Sequence, residues 1–319
     1  MPSLPSRCLI AFPALLPFLA SPALAHGPRL IGPEALPYAW TVDPLVIVPL
    51  LLVHWLYGRG LGRLWGRAGV GRGIGRHRAA AFIAGEAALV LALIWPLDAL
   101  GETLFSAHMT QHMVLIVVAA PLLVLGEPLA PVLAGLPEPV RHAAAAILHW
   151  RLGRGLLAWL TRPWVASLIQ GVILWLWHVP AAFEAALEHP ALHALEHAAF
   201  LTSALLFWWS VLHAGRNGPF GFGIAAFWML ITVVHGGLLG ALITFAQVQL
   251  YPGYGDAASL WGMDALTDQQ LAGLIMWVPT GMVHLTAGVL LVSAWLSAVA
   301  RHNRRTDYTE RRTDLTEPS

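Results

Sequence analysis

The sequence predicts an all-α polytopic membrane protein, a bundle of seven transmembrane helices behind a cleavable signal peptide. Three observations predict it. Of 319 residues, 57% are apolar and only 11% charged, against roughly 25% charged in a soluble domain, and the mean hydropathy is +0.66. Seven apolar stretches each approach the ~20 residues that a helix needs to cross ~30 Å of hydrocarbon. The arginines sit in every second loop between those stretches, as a single topology requires.

Residues 1–25 have the form of a secretory signal, with Arg7 as the positive start, Cys8 to Ala20 as a short apolar run, and Ala23-Leu24-Ala25 as the cleavage site. Cys8 is the single cysteine, so the mature chain has no disulfide and no thiolate ligand. Residues 26–39 are rich in Pro and Gly and form an exported N-terminal arm. The transmembrane domain covers 40–298, with spans expected at 40–57, 79–97, 104–126, 164–182, 191–213, 222–248 and 270–298. Residues 299–319 are charged and are expected to form a cytoplasmic disordered tail. With an exported N-terminus, the cytoplasmic segments are 58–78, 127–163, 214–221 and the tail. Every basic residue is an arginine, and all except Arg7 and Arg29 fall in those segments. This gives a multi-pass topology with the N-terminus exported and the C-terminus in the cytoplasm. Within 127–163, HAAAAILHWRLGRGLLAWL is basic and amphipathic and is expected to lie along the membrane surface.

The third stretch carries the chemistry. It opens with His108 and His112 one helical turn apart, and Met109 and Met113 repeat that spacing. Residues at i and i+4 share a helix face with Cβ atoms ~5–6 Å apart. His193 and His197 repeat the pattern at the same end of the fifth stretch, and His178 ends the fourth in Trp-Leu-Trp-His-Val-Pro. Ionisable groups within a membrane are costly and face a bundle interior. Imidazole and thioether without thiolate form a donor set in which the thioether favours Cu(I). His108, His112, Met109, Met113, His178, His193 and His197 are therefore expected as metal ligands on the exported side. His235 and His284, mid-length in the sixth and seventh stretches, and Asp268 before the seventh are candidate relay residues. The competing reading is structural: interhelical hydrogen bonds for the histidines and plain packing for the methionines. Haem b held between His112 and His197, a copper transporter using His235 and His284, and a metal-free scaffold stay open as alternatives. No nucleotide loop, Ser/His/Asp set or Cys redox pair is present, so no enzyme is expected. The bilayer is the expected environment, and nucleic acid is not an expected partner.

Several motifs together resemble the CtaG family of cytochrome c oxidase assembly proteins, of the multi-spanning type. They are Ala107-His108-Met109-Thr110-Gln111-His112-Met113, Pro121 to Pro128 (PLLVLGEP), Trp175 to Pro180 (WLWHVP) and His193-Ala194-Leu195-Glu196-His197 with Phe207-Trp208-Trp209. Asp268 to Pro279 (DQQLAGLIMWVP) and Pro96-Leu97-Asp98 complete the set. The match runs from about Trp40 to Leu296. The resemblance implies a bacterial inner-membrane protein of seven spans that assists assembly of a haem-copper oxidase. It also implies oxidase subunits or a copper chaperone as partners, and delivery of copper, or maturation of the copper-bearing subunits, as the task.

Overall fold

The computed structural model describes residues 30–314. The proposed leader, the start of the arm and the last residues of the tail lie outside that range. No strand occurs among the described residues. Among these described residues six helices are long and apolar enough to cross a membrane, or seven if one bent pair counts as a single span.

Helix α1 is Pro44–Ala68, α2 Arg76–Leu93, α3 Leu97–Gly101, and α4 Phe105–Leu125 including a π-helical turn at Leu115–Ala119. Then come α5 Leu129–Gly135, α6 Glu138–His149, α7 Arg151–Leu160, α8 Pro163–Trp177, α9 Pro180–Glu188 and α10 Pro190–Leu212. The long helices α11 Pro219–Thr244 and α12 Ala265–Asp314 complete the chain.

Helix α1 starts four residues later than the sequence suggests, because the Asp43 carboxylate caps it by accepting the Leu45 N–H at 2.8 Å. It then runs to Ala68, through residues expected to be loop. The extra turns are held by α5. Gly60 is packed so closely there that a Cβ would overlap the Pro131 carbonyl. Arg63 Nη1 donates to the carbonyls of Ala134 and Leu136 at 2.5 and 3.2 Å. Those are the orphan acceptors at the end of α5.

The fourth expected span, 164–182, is not one straight helix. It stops at Trp177, because Pro180 pushes Val179 into an extended conformation (φ −65°, ψ 125°). A span at this place requires α7 as well, and α7 meets α8 at 69°. The expected disordered tail is helical through Asp314. Neither Gly nor Pro occurs between Gly288 and Pro318 to stop the helix. The amphipathic segment 142–160 is helical but broken at Trp150 into α6 and α7, and Leu152, Leu156 and Trp159 remain exposed on α7.

Two devices shape the interior. Pro121 has no N–H to return to the preceding turn, which here is π-helical. The Ile116 carbonyl is taken instead by Trp208 Nε1–H at 2.8 Å, joining α4 to α10. Helices α11 and α12 meet at Gly240 and Gly273; a Cβ on Gly240 would lie 3.0 Å from the Gly273 carbonyl oxygen. Small residues let membrane helices approach to backbone contact.

At one end of the bundle the arm, α3, α9 and the 245–264 loop form a lid. The arm is docked there. The Ile31 N–H donates to Thr103 Oγ1 at 2.8 Å, and Trp261 Nε1–H donates to the Ile31 carbonyl at 2.8 Å. Trp40 stacks on Trp95 with centroids 5.2 Å apart.

Candidate metal centre

The first turns of α4 lie directly beneath this lid. Their start is fixed by Asp268 of α12, whose buried carboxylate accepts the N–H groups of Phe105 at 2.7 Å and Ser106 at 3.1 Å. Both oxygens are committed to an orphan helix start. The sequence suggested Asp268 as a relay residue; in the fold it is a cap supplied from another helix. Asp268→Ala should lower stability by about 1–3 kcal/mol by leaving two buried N–H groups unpaired. Asp268→Asn should recover much of the loss, since its amide oxygen can still accept. Thermal unfolding of the purified protein in detergent measures the difference.

His108 and His112 point from α4 towards α10, where they meet His193 and His197. Ring centroids are 4.3 Å apart for His108–His112, 4.2 Å for His193–His197, 5.2 Å for His108–His193 and 5.1 Å for His112–His197. Glu196 completes the group. Its oxygens lie 3.8 Å from His108 Nε2 and 3.9 Å from His112 Nε2, beyond hydrogen-bond range. The side chains of His108, His112 and Glu196 are almost wholly buried. His193 and His197 are partly exposed as residues, but their Nε2 atoms are shut away from solvent.

What sets the cluster apart is what it lacks. His108 Nε2, both nitrogens of His112, Nε2 of His193 and of His197, and both Glu196 oxygens are buried without a hydrogen-bond partner. Buried polar groups are almost always paired, and an unpaired one costs ~1–3 kcal/mol. So many in one place make the group a candidate ligand shell. The donor atoms of His108, His193 and His197 all lie within 4.8 Å of one another, and so do those of His108, His112 and Glu196. Ligands held ~2.0–2.1 Å from one ion sit at most ~4.2 Å apart. Small side-chain movements would bring either set onto a cation.

The lid keeps the centre dry. Phe183 packs edge-on against His108 at 5.1 Å, and Phe200 lies 4.6 Å from His112. Tyr254 Oη donates to the Gly101 carbonyl at 3.0 Å, and Tyr251 Oη donates to the His178 carbonyl at 2.9 Å. Burial pushes both loop phenols up from their ordinary value, so they remain protonated donors. Gln111 Nε2 bridges the Ala92 carbonyl and Asp98 Oδ1 at 2.9 and 2.8 Å, tying α4 to the α2–α3 corner.

The methionines face elsewhere. Met109 does not join the imidazole group; its sulfur lies 3.3 Å from His178 Nε2. Met113, one turn deeper, lines a separate cavity with His235 and His284. Met113 is thus set apart from the rest, whereas His178 and His112 both pack against Phe200, at 6.0 and 4.6 Å. Glu196 was the residue that sequence reasoning missed. Its signal was present: a carboxylate inside an apolar stretch, three residues after His193 and next to His197.

A family model described as cytochrome c oxidase caa3 assembly factor matches residues 55–298. Two uncharacterised mycobacterial proteins, Mb0105 of Mycobacterium bovis and MT0111 of Mycobacterium tuberculosis, are each 27% identical over 234 residues, covering 72% of this chain and 35% of theirs. The chain therefore spans about a third of the length of the curated relatives it matches. No solved structure matches it.

Proposed function

The chain belongs to the cytochrome c oxidase caa3 assembly factor family, and from that premise we propose that it receives Cu(I) in the His108–His112–His193–His197–Glu196 cluster and passes it to an oxidase subunit or a copper chaperone. The observation that carries this reading is the dry group of unpartnered imidazole nitrogens around an unpartnered carboxylate. Imidazole suits copper, and in the absence of thiolate the choice of donors is narrow. The arginine distribution supports a topology with the lid end exported, N-terminus out and C-terminus in, and the family supports a bacterial membrane. A site just beneath a lid can be loaded and emptied from that side. The task is ligand exchange with no bond chemistry, which agrees with a non-enzymatic role.

The geometry favours an ion over haem. His112 and His197 are packed 5.1 Å apart with Glu196 and Phe200 against His112, which leaves no slot as wide as a macrocycle between them.

The test is the His108→Ala/His112→Ala double variant in a host that depends on this protein for its oxidase. We expect the oxidase to be purified with depleted copper and activity reduced about tenfold or more, while the variant itself still reaches the membrane. Full copper content and normal activity would sink the proposal.

A further inference from the structure

Met113 lines a cavity of about 30 Å³ deeper in the bundle, with Gln170, His235, Met276 and His284 on its walls. That volume holds one particle the size of a water molecule or a small ion. Three atoms around it are buried and unpartnered: His235 Nδ1, His284 Nε2 and Gln170 Oε1. The His284 tautomer follows from its other nitrogen. Nδ1–H donates to the Thr280 carbonyl at 2.9 Å, so the neutral ring has its Nε2 lone pair free. Trp208 stacks on that ring at 5.5 Å and fixes its plane. The wall hydroxyls are already spent: Thr232 donates to the Trp228 carbonyl, and Thr280 to the Ile275 carbonyl left free by Pro279. Two thioethers complete the lining. Sulfur is a weak hydrogen-bond acceptor for water and a good ligand for Cu(I).

A second observation links this cavity to the outer cluster. His178 Nδ1–H donates to the Leu174 carbonyl at 2.7 Å, so in the neutral ring Nε2 is a bare lone pair. It faces the Met109 sulfur at 3.3 Å, and sulfur has no proton to give. Two buried lone pairs therefore point at each other with no hydrogen between them. A soft cation resolves that opposition. Met109 and Met113 lie on one face of α4, a turn apart, so this pair stands one turn from the wall of the inner cavity and at the depth of the outer histidines.

We infer that the bundle holds a second Cu(I) site in the cavity formed by Met113, Gln170, His235, Met276 and His284, filled from the outer cluster through Met109 and His178. The loading route rests on the outer cluster being a copper site; the inner site stands on its own donor atoms. Each transfer is a ligand exchange, thioether or imidazole for imidazole, and copper remains Cu(I) throughout.

Ag(I), a redox-inert soft cation, is the probe. The full-length protein in detergent is loaded with Ag(I), freed of excess by gel filtration, and its silver counted by mass spectrometry. The variants are His235→Leu/His284→Leu, Met113→Leu/Met276→Leu and His108→Ala/His112→Ala. The methionine pair conserves volume and keeps the fold. Both inner variants should lose one equivalent relative to wild type and keep the outer one. The outer variant should lose its own equivalent and fill the inner site about tenfold more slowly. An unchanged count in both inner variants overturns the inner site and leaves the proposed function standing, with water as the occupant. Loss in the inner variants with an unchanged count in the outer variant overturns the outer copper reading instead. An inner site that fills at the wild-type rate in the outer variant overturns the route.

Discussion

Replacing Glu196 by Gln should abolish high-affinity cation binding at the outer cluster while leaving the metal-free protein about as stable as wild type. Both halves follow from one fact. The Glu196 carboxylate is buried with neither oxygen hydrogen-bonded, and its nearest neighbours are imidazole nitrogens at 3.8 and 3.9 Å. An isolated buried charge is expensive and is avoided by taking up a proton, so a neutral side chain of the same shape should cost the metal-free protein little or nothing. When a cation enters, the same carboxylate supplies a negative charge among buried imidazoles, where Coulomb attraction is screened far less than in water. Loss of that charge should weaken Ag(I) or Cu(I) binding about 100-fold, ~2.7 kcal/mol at 1.4 kcal/mol per tenfold. Isothermal titration with Ag(I) and a melting curve on the metal-free protein measure the two quantities. A structural role for Glu196 predicts the reverse pair: a lower melting temperature and unaltered silver affinity.

The second large effect concerns packing. Helix α1 contains Gly58, Gly60 and Gly62, and the structure assigns them opposite sensitivities. A Cβ at Gly60 would run into the Pro131 carbonyl of α5, with the Gly135 nitrogen also in contact at 2.8 Å. Gly58 and Gly62 have nothing within 4 Å. Gly60→Leu should therefore force α1 and α5 apart and cost more than about 3 kcal/mol, beyond the ordinary range for a point change. Gly58→Ala and Gly62→Ala should each stabilise the helix, by up to ~1 kcal/mol. The yield of monodisperse protein on gel filtration, together with melting temperatures, separates the outcomes. If all three changes behave alike, the close crossing of α1 and α5 is wrong.

Much of the fold was legible along the chain because a bilayer imposes a strong, local rule: an apolar run of the right length becomes a helix. Boundaries failed where a tertiary or conformational constraint overrode hydropathy. Helix α1 outlasts its apolar run because α5 holds Gly60 and Arg63. The fourth span breaks at His178 because Pro180 forbids the helical conformation before it. The paired histidines were legible for the same local reason, since i, i+4 spacing fixes a shared face. That reasoning could not tell the two faces of α4 apart. His108 and His112 turn to α10, whereas Met109 turns to His178 and Met113 to the inner cavity.

The sequence by itself determined that this is a helical membrane protein, where most of its long apolar helices lie, and which histidines come in pairs. Each of these depends on composition or on spacing within one helix. Only the tertiary structure decided what those side chains face. It brought Glu196 up to His108 and His112, made Asp268 the cap of α4, set the Met109 sulfur against His178 and put Met113 on the wall of an inner cavity. The physical reason is that the rotation of each helix about its own axis is set by its neighbours. The Gly240–Gly273 and Gly60–Pro131 contacts, the Trp208 bond to Ile116 and the Asp268 cap fix those rotations, and each joins residues far apart in the chain.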